Sequence, residues 1–331
     1  ILGYSLAFSS GNAWIGDLSN LFMNSIDIDS TSGTIPESLF ATFQMTFAII
    51  TPALIIGAFV ERIKFSAMLI FISLWVIIVY VPVTHWVWGG GILYSWGTMD
   101  FAGGIVVHAT AGTAALVTAL TLGKRRGFPK SLTPPHSPIL TMIGAAMLWI
   151  GWFGFNAGSA LGANSNAGMA MLVTHISAST AALVWMFIEW QRFGKPSLIG
   201  VVTGMVAGLA TVTPASGYIG IPGGLILGFS GGLLCYLAVD FIRGKLQIDD
   251  SLDVFAVHGV GGILGTLLVA FLATSTFSGL GLPEGQTAIS QFIVQFKAVA
   301  LTVVWTSVFT YLILKATSVI VPLRVEEQEE I

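Results

Sequence analysis

The sequence contains little charge and a single cysteine. Only 9% of its 331 residues are charged and 55% are hydrophobic, whereas an average soluble domain carries about 25% charged residues. A soluble fold of this length would need a charged surface that the chain cannot supply. The net charge of −3 argues against a nucleic-acid partner. Cys235 alone allows neither a disulfide nor a cysteine–metal framework within the chain.

Catalytic and targeting motifs are also missing from the sequence. It contains no P-loop, no HExxH motif and no cleavable signal-peptide pattern. We therefore predict a protein that is not an enzyme and has no cofactor.

Apolar segments recur along the whole chain, and a membrane-spanning helix needs about 20 such residues. No linker or shift in composition divides them, so we predict one all-α polytopic membrane domain over residues 1–331. Residues 1–8 are apolar but too short to span, and without an initiator Met we expect the chain to begin inside a helix. Nine complete spans are predicted, at 36–60, 65–88, 103–122, 138–158, 167–190, 197–213, 222–242, 255–274 and 291–318.

The positive charges predict the orientation of these spans. Connectors with Lys or Arg alternate with connectors that have none, and basic loops stay in the cytoplasm. The polar loop 9–35 is therefore predicted to be external, and residues 322–331 to begin a cytoplasmic tail. Lys297, near the outer part of the last span, does not fit. The basic residues that fit are Arg62, Lys64, Lys124, Arg125, Arg126, Lys130, Arg192, Lys195, Arg243, Lys245, Lys315 and Arg324.

Two histidines lie inside predicted spans, where ionisable residues are costly and usually functional. His108 follows Asp100 by eight residues, and His258 follows Asp250 by eight. Eight helical residues rise about 12 Å, which approaches the middle of a hydrocarbon core of about 30 Å. The two spans run in opposite directions. The pattern therefore predicts an inverted repeat, with a transport site at the interface of its halves.

Other interpretations of these four residues remain open. The histidines could be buried groups whose hydrogen bonds are satisfied by the backbone. They could bind a metal, but the sequence offers no third ligand beside them. Asp100 and Asp250 could act as carboxylate catalysts, although capping of the following helices is the favoured interpretation because anions stabilise helix N-termini.

Aromatic residues cluster near the ends of two predicted spans. Trp at a membrane interface is usually only an anchor. Aromatic rings beside a hydroxyl can instead hold a cation through their faces and one hydrogen bond. The residues concerned are Trp86, Trp88, Trp149, Trp152, Phe153 and Phe155, followed by Ser159.

Together these motifs resemble the ammonium transporter family (Amt/Mep/Rh), on its Amt side. The resemblance covers essentially the whole chain in order, through GYSLAF, FATFQMTFA, HWVWGGG, DFAGGIVVH, GWFGFNAGSA, VTPASGYIG, DVFAVHGVGG and PLRVEEQEE. It implies an eleven-span fold of two inverted five-helix halves, with an external N-terminus and a cytoplasmic C-terminus. About nine complete spans are expected here, without the first span, most of the second and the end of the tail.

The resemblance implies roles for individual residues. Phe47, Trp88 and Ser159 resemble an external site that recruits ammonium. Phe47 and Phe155 resemble a phenylalanine gate, and His108 and His258 resemble paired pore histidines that relay a proton. Asp100 resembles a structural carboxylate, and Asp250 is expected to be structural as its counterpart in the repeat.

The resemblance also implies partners and alternatives. Ammonium or ammonia would be the substrate, with methylammonium as an analogue, in a plasma-membrane homotrimer regulated by a PII-type protein on the cytoplasmic side. One alternative is an ammonium sensor domain attached to a signalling module. Another is a neutral gas channel of the Rh type, against which Trp88 and Ser159 argue.

Overall fold

The chain forms a bundle of long apolar helices. Its structure is a computed structural model, which describes residues 1–131, 134–326 and 328–330. Within those residues, each of the predicted spans corresponds to a helical segment. Helices long and apolar enough to cross a membrane are Glu37–Ile56, Phe65–Ser95, Gly104–Leu122, Pro138–Gly158, Ser165–Phe193, Ile221–Lys245, Phe255–Leu272 and Ala288–Ile320, and the shorter apolar helix Leu198–Val212 completes the set. The all-helical polytopic fold is confirmed.

The α-helical elements have the following bounds. They are α1 Leu2–Phe8, α2 Glu37–Ile56, α3 Phe65–Trp75, α4 Val81–Trp88, α5 Ile92–Ser95, α6 Thr110–Leu122, α7 Pro138–Gly158, α8 Ser165–Phe193, α9 Leu198–Val212, α10 Ile221–Val239, α11 Val260–Leu272 and α12 Ala288–Ile320. Wider π-helical turns occur at Val76–Tyr80, Gly104–Ala109, Asp240–Lys245 and Phe255–Gly259, and 3₁₀ turns at Leu21–Met23 and Ser275–Phe277.

The loop 9–35 contains a small element that an all-helical prediction omits. Strands β1 Thr31–Ser32 and β2 Ile35–Pro36 pair antiparallel in a short hairpin. Gly33 occupies its turn at φ +60°, a conformation that glycine adopts without steric cost.

The connectors that lack Lys and Arg lie together at one end of the bundle, here called the Trp88 end. The Thr34 hydroxyl in loop 9–35 donates to the Leu161 carbonyl at 3.1 Å. The Phe101 N–H donates to the Pro214 carbonyl at 3.0 Å. The loops that the charge pattern assigns to one side of the membrane are thus in contact with one another.

The basic connectors lie at the opposite end, here called the Arg62 end, around one buried ion pair. Arg62 is fully buried, and its Nη1 atom lies 2.7 Å from Asp249 Oδ2. Arg125 contacts the same carboxylate through its side chain and its backbone N–H. Burial lowers the pKa of Arg62, and the Asp249 charge opposes that shift. Arg62, Asp249 and Arg125 together join the segment after α2 to the segments that follow α6 and precede α11.

The tail also folds against the Arg62 end. Arg324 forms an antiparallel β-bridge with Ile63, and its Nη1 atom donates to the Leu122 carbonyl at the end of α6 at 3.1 Å. Glu327 and Ile331, which belong to the predicted tail, lie outside the described residues.

Candidate functional site

The two histidines lie in matching local structures. His108 belongs to the π-helical turn Gly104–Ala109 that leads into α6, and His258 belongs to the turn Phe255–Gly259 that leads into α11. Each of the two α-helices that follow has 13 residues. Single π-helical turns occur often at functional sites, because they widen the helix and redirect a side chain.

The two carboxylates bind the starts of these helices. Asp100 Oδ1 accepts the Gly103 and Gly104 N–H groups at 2.9 and 2.6 Å. Its Oδ2 accepts the Ile105 and Val106 N–H groups at 2.8 and 3.1 Å. Four backbone donors at a helix N-terminus hold this anion in place and leave it engaged in capping.

Asp250 repeats the arrangement with fewer bonds. Its Oδ2 accepts the Phe255 N–H at 2.7 Å, while its buried Oδ1 has no hydrogen-bond partner among the described residues. Nearby, Asp253 pairs with Arg243 at 3.0 Å. Burial raises the pKa of Asp253 to about 7, and Arg243 partly opposes the shift.

The imidazoles of His108 and His258 face each other. Their Nδ1 atoms lie 3.2 Å apart, and the rings are stacked with centroids 5.1 Å apart and planes 19° from parallel. Both side chains are buried. A hydrogen bond between two Nδ1 atoms needs one donor and one acceptor, so only one of the two atoms can carry the bridging proton. His108 Nε2 is buried without a protein partner among the described residues.

Glycines allow the two histidine helices to approach so closely. A Cβ atom placed on Gly112 would lie 2.3 Å from the Gly259 backbone. A Cβ atom placed on Gly262 would lie 2.5 Å from the Cβ atom of His108. Contacts this short cannot exist with a side chain present, so α6 and α11 cross at these positions because a methyl group is missing from each.

Three aromatic side chains form a column that leads from the Trp88 end to the histidines. Phe47, which is 1% exposed, packs against Phe155 with ring centroids 4.3 Å apart and planes tilted by 31°. The Trp88 ring meets Phe47 edge to face at 5.3 Å. Phe155 in turn lies 6.3 Å from the His108 ring. The structure therefore brings the predicted gate and pore residues into one continuous stack.

Trp88 and Ser159 are each fixed by one hydrogen bond. Trp88 Nε1 donates to the Asp100 carbonyl at 2.8 Å. The Ser159 hydroxyl donates to the Phe155 carbonyl at 2.8 Å. With its proton engaged, the Ser159 oxygen keeps its lone pairs for a donor such as an N–H group.

Trp152 lies beside these residues, although its place in the sequence indicated only an aromatic cluster at a span end. Its ring stacks on His108 with centroids 5.4 Å apart and planes 17° from parallel. Its Nε1 donates to Thr213 Oγ1 at 2.9 Å. The signal in the sequence was its position three residues before Phe155, which puts both rings on one helix face.

A cavity of about 680 Å³ opens onto both histidines. Its walls are almost entirely apolar, apart from the two imidazoles and Thr46. Within the described residues, no group of three or more His, Cys, Asp or Glu side chains is arranged to hold a metal ion. The apolar residues that line the cavity include Phe43, Ile50, Leu54, Val107, Met147 and Phe155.

Long apolar helices that enclose buried imidazoles, an aromatic column and an apolar cavity define the class as a polytopic α-helical membrane protein. The sequence profile of the Ammonium Transporter Family matches residues 1–331. The chain belongs to the ammonium transporter family.

Individual relatives agree with this assignment. The chain is 47% identical over 339 residues to a putative ammonium transporter of Methanothermobacter thermautotrophicus, covering all of this chain and 82% of that protein. It resembles the crystal structure of Saccharomyces cerevisiae Mep2 with a TM-score of 0.86 and 37% identity, over 99% of this chain and 78% of the other. It also resembles a sensor Amt protein with a TM-score of 0.90 and 31% identity, over 99% and 83% of the two chains.

Proposed function

We propose that the protein conducts ammonium across a membrane by recruiting the cation beside Trp88 and passing a proton through the histidine pair. The observation that carries this proposal is the 3.2 Å approach of the two Nδ1 atoms at an apolar cavity, behind the stacked Phe47 and Phe155 rings. The family and its relatives support ammonium as the substrate.

Recruitment begins at the Trp88 end. An ammonium ion that leaves water loses its hydration, which is costly for a charge. The rings of Trp88 and Phe47 offer faces for cation–π contact, and Ser159 offers an oxygen acceptor for one N–H. These contacts replace part of the lost hydration before the substrate passes the phenylalanines.

The gate separates this site from the histidines. Because Phe47 and Phe155 stack at 4.3 Å, the substrate passes only when the rings move apart. Behind them the walls are apolar, so neutral ammonia crosses this region more easily than ammonium.

The histidine pair accepts the proton that ammonium releases when it becomes ammonia. One Nδ1 accepts from the other, so a proton gained by one ring can be matched by a proton released from its partner. Two imidazoles in contact titrate as a coupled unit. The pair thereby offers an acceptor on one side and a donor on the other without a column of water between them.

Several finer assignments belong to the same proposal. The presence of both Trp88 and Ser159 favours an Amt-type transporter over a neutral gas channel of the Rh type. We further propose a homotrimer in the plasma membrane, with a cytoplasmic C-terminus to which a PII-type regulator binds.

A sensor is a second candidate, because the chain covers 83% of a sensor Amt protein at 31% identity. The two functions differ in what lies beyond this domain and share the site described above. A transporter carries current on its own in liposomes, whereas a sensor needs an attached signalling module to act.

The histidine mechanism is tested by ammonium-evoked current in proteoliposomes. Replacement of both His108 and His258 by leucine removes the relay, so we expect the current to fall sharply even if neutral ammonia still crosses. The double variant of His136 and His175 to leucine is the matched control, because it removes two imidazoles outside the pair. Wild-type current in the His108/His258 variant would show that these residues only pack.

A single acidic substitution gives a graded test. Replacement of one histidine of the pair by glutamate keeps a proton-accepting group at the site. We expect this variant to retain some conduction but to discriminate less well among cations, measured as the ratio of ammonium to potassium current.

A further inference from the structure

Gln295 in α12 uses every hydrogen-bonding position of its side chain while it is fully buried. Its Oε1 accepts the Met99 N–H at 2.8 Å and a Gln291 N–H at 3.1 Å. Its Nε2 donates to the Met99 carbonyl at 2.7 Å and to the Thr266 carbonyl at 2.9 Å. A primary amide has two donors and an acceptor with two lone pairs, so the side chain is saturated.

These bonds join the two halves of the histidine site. Met99 directly precedes Asp100, whose carboxylate caps the segment that carries His108 and whose carbonyl accepts Trp88 Nε1. Thr266 lies in α11, eight residues after His258. One side chain from α12 therefore connects the recruitment residue Trp88, the His108 helix and the His258 helix at the Trp88 end.

The contact with Met99 has the geometry of paired amides. The Gln295 carboxamide binds both the N–H and the C=O of Met99, as the opposite residue does in a hydrogen-bonded pair of an antiparallel sheet. Such a two-bond contact fixes orientation as well as distance. The hydrogen bond from Gln295 to the Thr266 carbonyl on α11 then sets how far α11 lies from the loop that contains Met99.

We propose that Gln295 is a positioning residue that fixes the spacing of the two histidine helices and thereby sets the size discrimination of the pore. The close approaches at Gly112 and Gly262 bring α6 and α11 together. Gln295 holds α11 and the loop before the His108 segment at the Trp88 end, from which the substrate arrives. Loss of the amide allows these elements to separate, so the larger methylammonium ion gains more than ammonium. This inference rests on the proposed function.

The adjacent Gln291 is a matched control. It is also fully buried on α12, one turn from Gln295. It donates to the Gly97 carbonyl at 3.0 Å and to Gln295, with no hydrogen bond to α11. Gln291→Leu therefore removes a buried amide at the same level of the bundle but leaves the contacts of Gln295 with Met99 and Thr266 intact.

The test measures methylammonium and ammonium currents in proteoliposomes that contain the full chain. For Gln295→Leu we expect the ratio of methylammonium to ammonium current to rise about ten-fold, the order of discrimination that one methyl group permits. For Gln291→Leu we expect the wild-type ratio. An unchanged ratio in Gln295→Leu, or an equal rise in Gln291→Leu, overturns the proposal.

Gln295→Glu keeps the test decisive if the leucine variant does not fold. A protonated carboxyl group keeps one acceptor for Met99 and one donor, whereas an ionised one faces two carbonyl oxygens without a donor. For Gln295→Glu we expect a ratio of methylammonium to ammonium current between the values of wild type and Gln295→Leu. This ratio should rise as the pH is raised from 5 to 8. The wild-type ratio, which should not change over this pH range, is the reference. A wild-type ratio at every pH overturns the proposal. Absence of ammonium current in the wild type would instead contradict the proposed function.

Discussion

Gly262 lies directly against the Cβ atom of His108, at a distance where a methyl group on the glycine would sit 2.5 Å away. Gly262 follows His258 by four positions, and Gly112 follows His108 by four positions. Each histidine is thus followed, one helical turn later, by a glycine that faces the opposite helix. The approach of the imidazoles depends on these two positions as much as on the histidines.

We predict that Gly262→Ala separates the histidine helices and lowers ammonium current. Forcing a methyl group into a filled interior costs roughly 1–3 kcal/mol of folding free energy. The methyl group would also displace His108 from its partner. The current in proteoliposomes and the thermal stability in detergent measure the two effects.

Gly168→Ala in α8 is the control for this variant, since a Cβ atom there meets nothing within 4 Å. It should leave current and stability close to wild type. Full current in Gly262→Ala would mean that the histidine contact is not needed for conduction.

For the recruitment site, we predict that Trp88→Leu combined with Ser159→Ala weakens ammonium binding while the fold persists. The contact with one ring face and one hydrogen bond each contribute about 1 kcal/mol to the free energy of ammonium binding. Together they correspond to a rise of roughly 30-fold in the half-saturating ammonium concentration. Concentration dependence of the current provides the measurement.

Trp96→Leu is the control for that double variant, because Trp96 lies in the connector that follows Trp88 but is 36% exposed. Its half-saturating concentration should match wild type. If the double variant also keeps the wild-type value, cation–π recruitment at Trp88 is ruled out.

The ion pair at the Arg62 end gives a stability prediction. Arg62→Met leaves Asp249 buried with Arg125 as its one charged partner among the described residues, and breaking a buried pair typically costs about 3–5 kcal/mol of folding free energy. The exposed pair between Arg192 and Asp240, at 3.4 Å, is the matched comparison. Arg192→Met should lower the free energy of unfolding far less, because exposed ion pairs contribute little to stability. Similar unfolding temperatures for the two variants would contradict this difference.

The orientation in the membrane is tested by cysteine labelling from each side. We predict that Lys130→Cys is labelled from the cytoplasm and Ser32→Cys from outside, because basic loops stay in the cytoplasm. The native Cys235 is buried and adds little background. Labelling of both positions from the same side would refute the predicted topology.

The sequence predicted the places of the spans well, for a simple reason. A bilayer requires about 20 apolar residues for each crossing, so hydropathy alone marks α2 or α12. It could not mark the exact ends, as α12 runs over Ala288–Ile320 rather than 291–318. It also could not show the β1–β2 hairpin in the loop 9–35, whose pairing depends on a local turn at Gly33.

The sequence also predicted that His108 and His258 belong together, because matched offsets from Asp100 and Asp250 in opposite helices are visible in one dimension. Residue spacing within a helix is fixed by its geometry, so such repeats survive in the chain. The spacing of Trp152 and Phe155 placed both rings on one helix face, but it could not show that Trp152 stacks on His108 rather than facing lipid.

What only the tertiary structure decided is how separate segments meet. The 3.2 Å contact between imidazoles 150 residues apart, the glycines that permit it and the four bonds of Gln295 all join elements that are distant in the chain. Apolar periodicity specifies that a helix crosses the bilayer but not which face meets which neighbour. Close packing and the hydrogen bonding of buried polar groups make that choice, and both operate only once the helices are assembled.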